Sequence, residues 1–324
     1  MSIKAFLVKL LFYSVLVYLI NLGIGEFFKN DNSKKTQLGI FYPETRWNEF
    51  YSLPEKSLDL VFLGSSLCYR GINPELVDSL THLKSFNLGS SIQSLTTTYF
   101  VFEELLNHQH PKVIYLDLFT RTLNLEDQLE SVRYNYEFMN SGEAKDNLYL
   151  SGLNFTEKIQ FLFPAFYKRD QLNSIFKYAF KSIDTSKISD KYYKKGFVKS
   201  SKRMSTASLN LKLNGLTKFD WTPTERTEIH LKYLQKIIDR CKDENIKLIL
   251  SSTPIPKSFY KIIELEQFEK TIQDISRKNN LEFINYNKTG LPLNDTLHFK
   301  DHHLNQYGAR ILSTKIAEQI NNSK

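Results

Sequence analysis

Five short apolar runs, separated by stretches with helical periodicity, constrain this chain more than any other feature. They are Leu58–Gly64, Lys84–Gly89, Lys112–Leu118, Ile246–Ser252 and Leu281–Asn285. Runs of this length, rich in branched and aromatic residues, predict buried strands. Between them, Asn73-Pro74-Glu75 offers a cap residue with Pro at the first helical position. Leu95, Tyr99, Phe102 and Leu106 mark one face of a second helix. Thr222-Pro223-Thr224-Glu225 predicts a capping box, opening a helix whose apolar stripe is Leu234, Ile237, Ile238 and Cys241. Lys257 to Asn279 predicts a mostly helical connection. A last helix from about Asn305 should turn Ala309, Leu312, Ile316 and Ile320 inward. Strand and helix in alternation imply an α/β fold with a mainly parallel five-stranded sheet and helices on both faces.

Ahead of this pattern, Ala5 to Gly25 is apolar for about 20 residues, enough to span a bilayer as a helix, with Lys9 its single charge. No small-x-small cleavage site follows it, so residues 1–26 are expected to be an uncleaved signal anchor rather than a signal peptide. Lys4 and Lys9 place the N-terminus in the cytoplasm and the remainder outside, against the weaker pull of Lys29, Lys34 and Lys35. Residues 27–56 are polar and read as an irregular tether, and residues 57–324 as the α/β domain. Residues 122–221 show no dominant period and read as an insertion. This stretch holds a basic cluster from Lys177 to Arg203, with nine Lys and Arg against Asp184 and Asp190, and it accounts for most of the net charge of +8. It reads first as a solvated Lys-rich surface and second as a contact for anionic lipid or an acidic polymer. Nucleic acid is not expected as a partner outside the cell. The two cysteines, Cys68 and Cys241, exclude a disulfide scaffold and a Cys-rich zinc site.

In a parallel sheet, chemistry gathers at the carboxyl ends of the strands. The first strand ends Gly64-Ser65-Ser66-Leu67, where a glycine turn can expose a serine. The second ends Asn87-Leu88-Gly89-Ser90, where an uncrowded glycine N–H suits an oxyanion donor. Near the C-terminus, Asp301-His302-His303-Leu304-Asn305 precedes the last helix, as suits a general base held by a carboxylate. Adjacent histidines also suggest a metal. Neighbouring side chains should point apart, however, and no other His or Cys has ligand spacing, so neither metal nor cofactor is expected. Asp295-Thr296-Leu297-His298 is a rival Asp–His pair.

In this chain order, Gly64-Ser65-Ser66-Leu67, Gly89 and His303-Leu304-Asn305-x-x-Gly308-Ala309 resemble the three motif blocks of the SGNH (GDSL-like) hydrolase superfamily. With the apolar N-terminus, the chain looks like membrane-anchored bacterial cell-envelope members, similar to the lipoteichoic acid D-alanylation protein and the alginate acetylation proteins. The resemblance implies a flavodoxin-like three-layer α/β/α sandwich. It also implies a serine esterase or O-acyltransferase acting on an acylated glycan or envelope polymer, with membrane proteins as possible partners. The roles it implies are Ser66 as nucleophile, His303 as base, Asp301 as its orienting acid, and the N–H groups of Ser66 and Gly89 as oxyanion donors. Two departures stand out. The third strand ends Asp117-Leu118-Phe119-Thr120 without the family's Asn, and Lys300 occupies the position of the family's acid, leaving Asp301 two residues before His303. These departures favour the rival expectation, a non-catalytic member that binds glycan or assembles an envelope complex.

Overall fold

A computed structural model describes residues 2–37, 42–126, 128–140, 142–163, 189–215, 221–263 and 265–322, with backbone alone for 28–37. All five expected strands form. We label the strands β1 (Leu60–Leu63), β2 (Ser85–Asn87), β3 (Val113–Asp117), β4 (Asp190–Lys194), β5 (Phe197–Ser200), β6 (Lys247–Ser252) and β7 (Glu282–Asn285). The main sheet has the order β2-β1-β3-β6-β7 and every pairing in it is parallel. The two strands that follow β1 in the sequence therefore lie on opposite sides of it. Such a reversal of winding opens a crevice at the carboxyl end of β1.

Alternation along the strands divides the core into two layers. Val61, Leu63, Ile114, Leu116, Leu248 and Leu250 face one layer, against the helices Leu95–His108 and Glu225–Asp243. Leu60, Phe62, Tyr115 and Ile249 face the other, against Val77 of the helix Pro74–Thr81 and Leu312 and Ile316 of the helix Gln306–Asn322. Each of these fully buried aliphatic or aromatic side chains contributes about 1.5–3 kcal/mol. The result is a three-layer sandwich. One boundary differs from expectation: the capping box is Thr224 with Thr227, two residues later than Thr222 with Glu225, because the threonine pair exchanges both capping hydrogen bonds.

The segment expected to be an irregular tether is largely helical. One helix covers Ile3–Gln37 and a second covers Tyr42–Tyr51. The second buries Arg46, Trp47 and Phe50 on one face, with Trp47 and Phe50 in the larger core layer. Pro43 is buried on the same face and the remaining positions are mostly polar, so average composition hid a face of four residues. Ile3–Phe27 is long and apolar enough to cross a membrane, a property that signal sequences share.

Within residues 122–221, the helices Leu129–Tyr136, Gly142–Gly152 and Phe155–Leu162 precede an antiparallel hairpin, β4–β5. Lys195 and Gly196 form its tip, with φ of 50° and 82°, the left-handed pair that a tight two-residue turn requires. That tip packs on the end of β2, where a Cβ at residue 196 would fall 1.8 Å from the Asn87 carbonyl oxygen. The Asn87 N–H donates to the Lys195 carbonyl at 2.9 Å. Lys177, Lys181 and Lys187 of the basic cluster lie outside the described residues. Lys194 and Lys195 face Glu75, and Lys195 also pairs with Asp78 at 2.7 Å, so part of the cluster's charge is met within the fold.

Candidate active site

Gly64 ends β1 with φ +146°, and a Cβ there would lie 2.8 Å from the Asp117 carbonyl oxygen. Only glycine lets the chain turn this sharply against β3. A six-residue helix, Ser66–Gly71, begins immediately. Buried Ser65 is its N-cap, its Oγ accepting from the Leu67 N–H. That leaves Ser66, half-buried at the first helical position, to present its hydroxyl at the crevice.

The C-terminal block is held just as locally. Asn305, fully buried, caps the last helix by accepting from the Tyr307 and Gly308 N–H groups at 3.0 and 3.2 Å. Its amide donates to the Lys202 and Leu297 carbonyls. The loop before this cap carries His303, whose Nε2 stands 2.8 Å from Ser66 Oγ. His303 Nδ1 lies 2.7 Å from Asp301 Oδ1, and the same oxygen accepts the His303 backbone N–H at 2.8 Å. This tight turn is how an acid two residues upstream reaches the imidazole. With Nδ1–H donated to Asp301, Nε2 is left to accept the Ser66 hydroxyl proton. A hydroxyl, an imidazole and a carboxylate therefore stand in series.

The rival pair does not meet in this way. His298 Nδ1 accepts from the Asn294 N–H at 2.8 Å. Asp295 instead accepts from the Lys257 and Ser258 N–H groups at 2.8 and 2.9 Å, capping the helix Lys257–Tyr260. His302 corrects an expectation: its ring does not point away from His303 but lies 3.8 Å from it, centroid to centroid. Asp301, His302 and His303 thus present ligand atoms within 4.8 Å of one another. A metal there would compete for the Asp301 and His303 atoms that hold Ser66.

Burial is the largest influence on His303 and holds it below its usual 6.5 against the raising effect of Asp301. For Asp301, burial works towards protonation, but the hydrogen bonds and charge of His303 outweigh it and keep the carboxyl well below the usual range. Both shifts favour a neutral imidazole beside an ionised carboxylate.

Gly89 differs from its expected role. Its N–H donates to Asn87 Oδ1 at 2.9 Å, and its carbonyl accepts from Arg46 Nη1. Asn87 is fully buried at the end of β2, and its amide is fixed by the Cys68 and Ile72 carbonyls, which aims Oδ1 at Gly89. The end of β3 carries Asp117. Its Oδ1 accepts the Thr253 N–H at 2.7 Å, its Oδ2 is buried without a partner, and burial raises its pKa to about 7.

Two residues important to the site carry no motif signal. Asp190, at the start of β4, accepts from Arg70 of the Ser66 helix at 2.7 Å and from Lys300 of the His303 loop. Burial opposes its charge, but Arg70 and Lys300 hold it at about 2. It clamps the two halves of the site together. Its sole sequence signal is an acid within a Lys-rich stretch. Arg46 is the second, donating also to Asn135 Oδ1 at 2.8 Å behind the Gly89 loop.

No family model and no curated protein matches this sequence. Among solved structures, the chain is similar to a candidate acylhydrolase from Bacteroides fragilis NCTC 9343, at 12% identity and TM-score 0.42, over 87% of this chain and 95% of that one. It is similar also to a GDSL-like lipase from Bacteroides thetaiotaomicron VPI-5482, at 13% identity and TM-score 0.40, over 87% of this chain and 98% of that one.

Proposed function

We propose that this protein is a membrane-anchored serine esterase or O-acyltransferase of the SGNH type, acting outside the cytoplasm on an acylated glycan or envelope polymer. The observation that carries the reading is the hydrogen-bonded series Ser66 Oγ, His303 Nε2, His303 Nδ1, Asp301 Oδ1, at 2.8 and 2.7 Å. The three motif windows support the family by resemblance, the apolar N-terminus supports the anchor, and the acylated-polymer substrate class follows from that anchor and family analogy.

In the proposed reaction His303 Nε2 takes the Ser66 proton as Oγ adds to the ester carbonyl. The negative oxygen of the tetrahedral intermediate receives the Ser66 N–H, which at a first helical turn has no acceptor within its own helix. Gly89 joins it only when Asn87 Oδ1 releases its N–H. The intermediate collapses as His303 returns the proton to the leaving alcohol, leaving an acyl group on Ser66. Water then completes hydrolysis, or a sugar hydroxyl completes transfer.

Occupation of the Gly89 N–H favours one second reading, a non-catalytic binding or assembly protein. Fluorophosphonate labelling separates the two, using a membrane-impermeant probe on intact cells and on the purified full-length chain. Labelling is expected in both preparations and is expected to be lost in Ser66→Ala and His303→Ala at matched folding. Absence of label on the purified protein would establish the second reading. Label on purified protein but not on cells would remove the placement outside the cytoplasm.

A further inference from the structure

We infer that the helix Phe155–Leu162 is a second membrane contact, lying in the bilayer interface beside the N-terminal helix. The inference rests on the anchor reading of Ile3–Phe27 and adds to it a surface of the globular part.

This helix turns more apolar surface outward than a water-soluble surface needs. Phe155, Ile159 and Leu162 follow one another at spacings of four and three, which places them on one stripe. That stripe faces outward, with Phe155 78% and Leu162 57% exposed. The side turned inward carries Phe161, packed against Tyr136 and Tyr149, and beside it a charge. Glu157 is buried, accepting from the Gln128 and Asn154 N–H groups at 2.8 and 2.7 Å. A surface helix on a soluble domain turns polar residues outward, not a second apolar stripe. Leu150, at the end of the preceding helix Gly142–Gly152, adds a further side chain 58% exposed.

The position of the helix identifies what covers the stripe. Asn21 is the one buried residue among residues 2–27 of the N-terminal helix, and its Nδ2 donates to the Leu162 carbonyl at 3.2 Å. Asn21 lies six residues before Phe27, the end of the 25-residue apolar span, or about 9 Å along the helix axis. Interfacial helices bury their apolar face about 5–10 Å into the boundary between headgroups and acyl chains. A helix tied to the span at this level therefore meets lipid at the depth where Phe, Ile and Leu side chains are favoured.

The test uses the full chain reconstituted in phosphatidylcholine–phosphatidylglycerol vesicles, with an environment-sensitive dye on a single introduced cysteine. Cys68 and Cys241 are both buried, and the wild type serves as the labelling blank. Dye at Phe155→Cys is expected to emit blue-shifted and to be quenched by lipids with a nitroxide near the headgroup. Its quenching by aqueous iodide should be several-fold weaker than that of dye at Lys278→Cys, on the exposed end of a distant helix. Dye at Leu11→Cys reports the anchor separately, through nitroxides deep in the acyl chains. Iodide quenching at residue 155 equal to that at residue 278 would overturn the inference. With residue 11 buried in lipid, that result leaves the anchor standing and points to a protein partner for the stripe. With residue 11 in water, both fail.

Discussion

Gly308 lies so near His298 that a Cβ on it would stand 2.4 Å from the His298 carbonyl oxygen and 2.6 Å from a Leu304 methyl. The last helix is thereby seated directly on the turn that leads into the His303 loop, and the glycine of the C-terminal block is a packing requirement.

Gly308→Ala should consequently push the helix away from this turn. Overpacking of this kind costs about 1–3 kcal/mol, and the displaced loop carries His303. Urea unfolding is expected to show a lower midpoint, and ester hydrolysis should fall further than the folded fraction does. Wild-type stability and rate together would show that the contact is slack.

The acid limb of kcat/KM should report His303. An imidazole acts as a base only when neutral, and this one is held below 6.5 by burial. Activity is therefore expected to persist below pH 6.5 and to fall, with a slope of one, as His303 protonates. In Asp301→Asn the raising influence of the carboxylate is gone. The limb should move further down in pH, while the plateau drops by about 10²–10⁴ with loss of the oriented base. A wild-type midpoint above 6.5 would show that Asp301 outweighs burial at His303.

Asp117 gives a stability prediction of defined sign. Its folded pKa is raised by burial from 3.8 to about 7, so ionisation is harder in the folded than in the unfolded chain. Relative to the acid side, stability is lost as pH rises from the unfolded value through about 7, by up to a few kcal/mol at about 1.4 kcal/mol per unit. Asp117→Asn retains an oxygen for the Thr253 N–H and removes the charge. Its Tm should exceed that of the wild type at pH 8, with the gap shrinking towards pH 4. A gap that is constant with pH would mean that Asp117 does not titrate in this range.

The sheet was legible because its strands are short apolar runs whose burial pattern follows from composition alone. The residues that meet at the crevice were legible too, because Ser66 and His303 each sit in a local motif with its own backbone reason, Gly64 for one and Asn305 with Gly308 for the other. What escaped were relationships between distant segments. Nothing near Asp190 announces that Arg70 and Lys300 converge on it across 120 and 110 residues. Nor does the sequence around Gly89 show that Asn87 takes its N–H, since that depends on how the Asn87 amide is held by the helix beyond Ser66. The Tyr42–Tyr51 helix was missed for another reason: four buried residues among ten, one of them an arginine, are too few to shift an average.

That short helix sets how far the site can travel. With Trp47 and Phe50 locked into the core, four residues of sequence separate the helix that ends at Gln37 from the α/β body that begins at Tyr42. Fully extended, such a link spans roughly 15 Å. Whatever its conformation, a separation bounded so closely gives the proposed enzyme almost no working radius. Lateral drift of the whole molecule along the bilayer, rather than swing about a pivot, would then decide which acyl groups it meets.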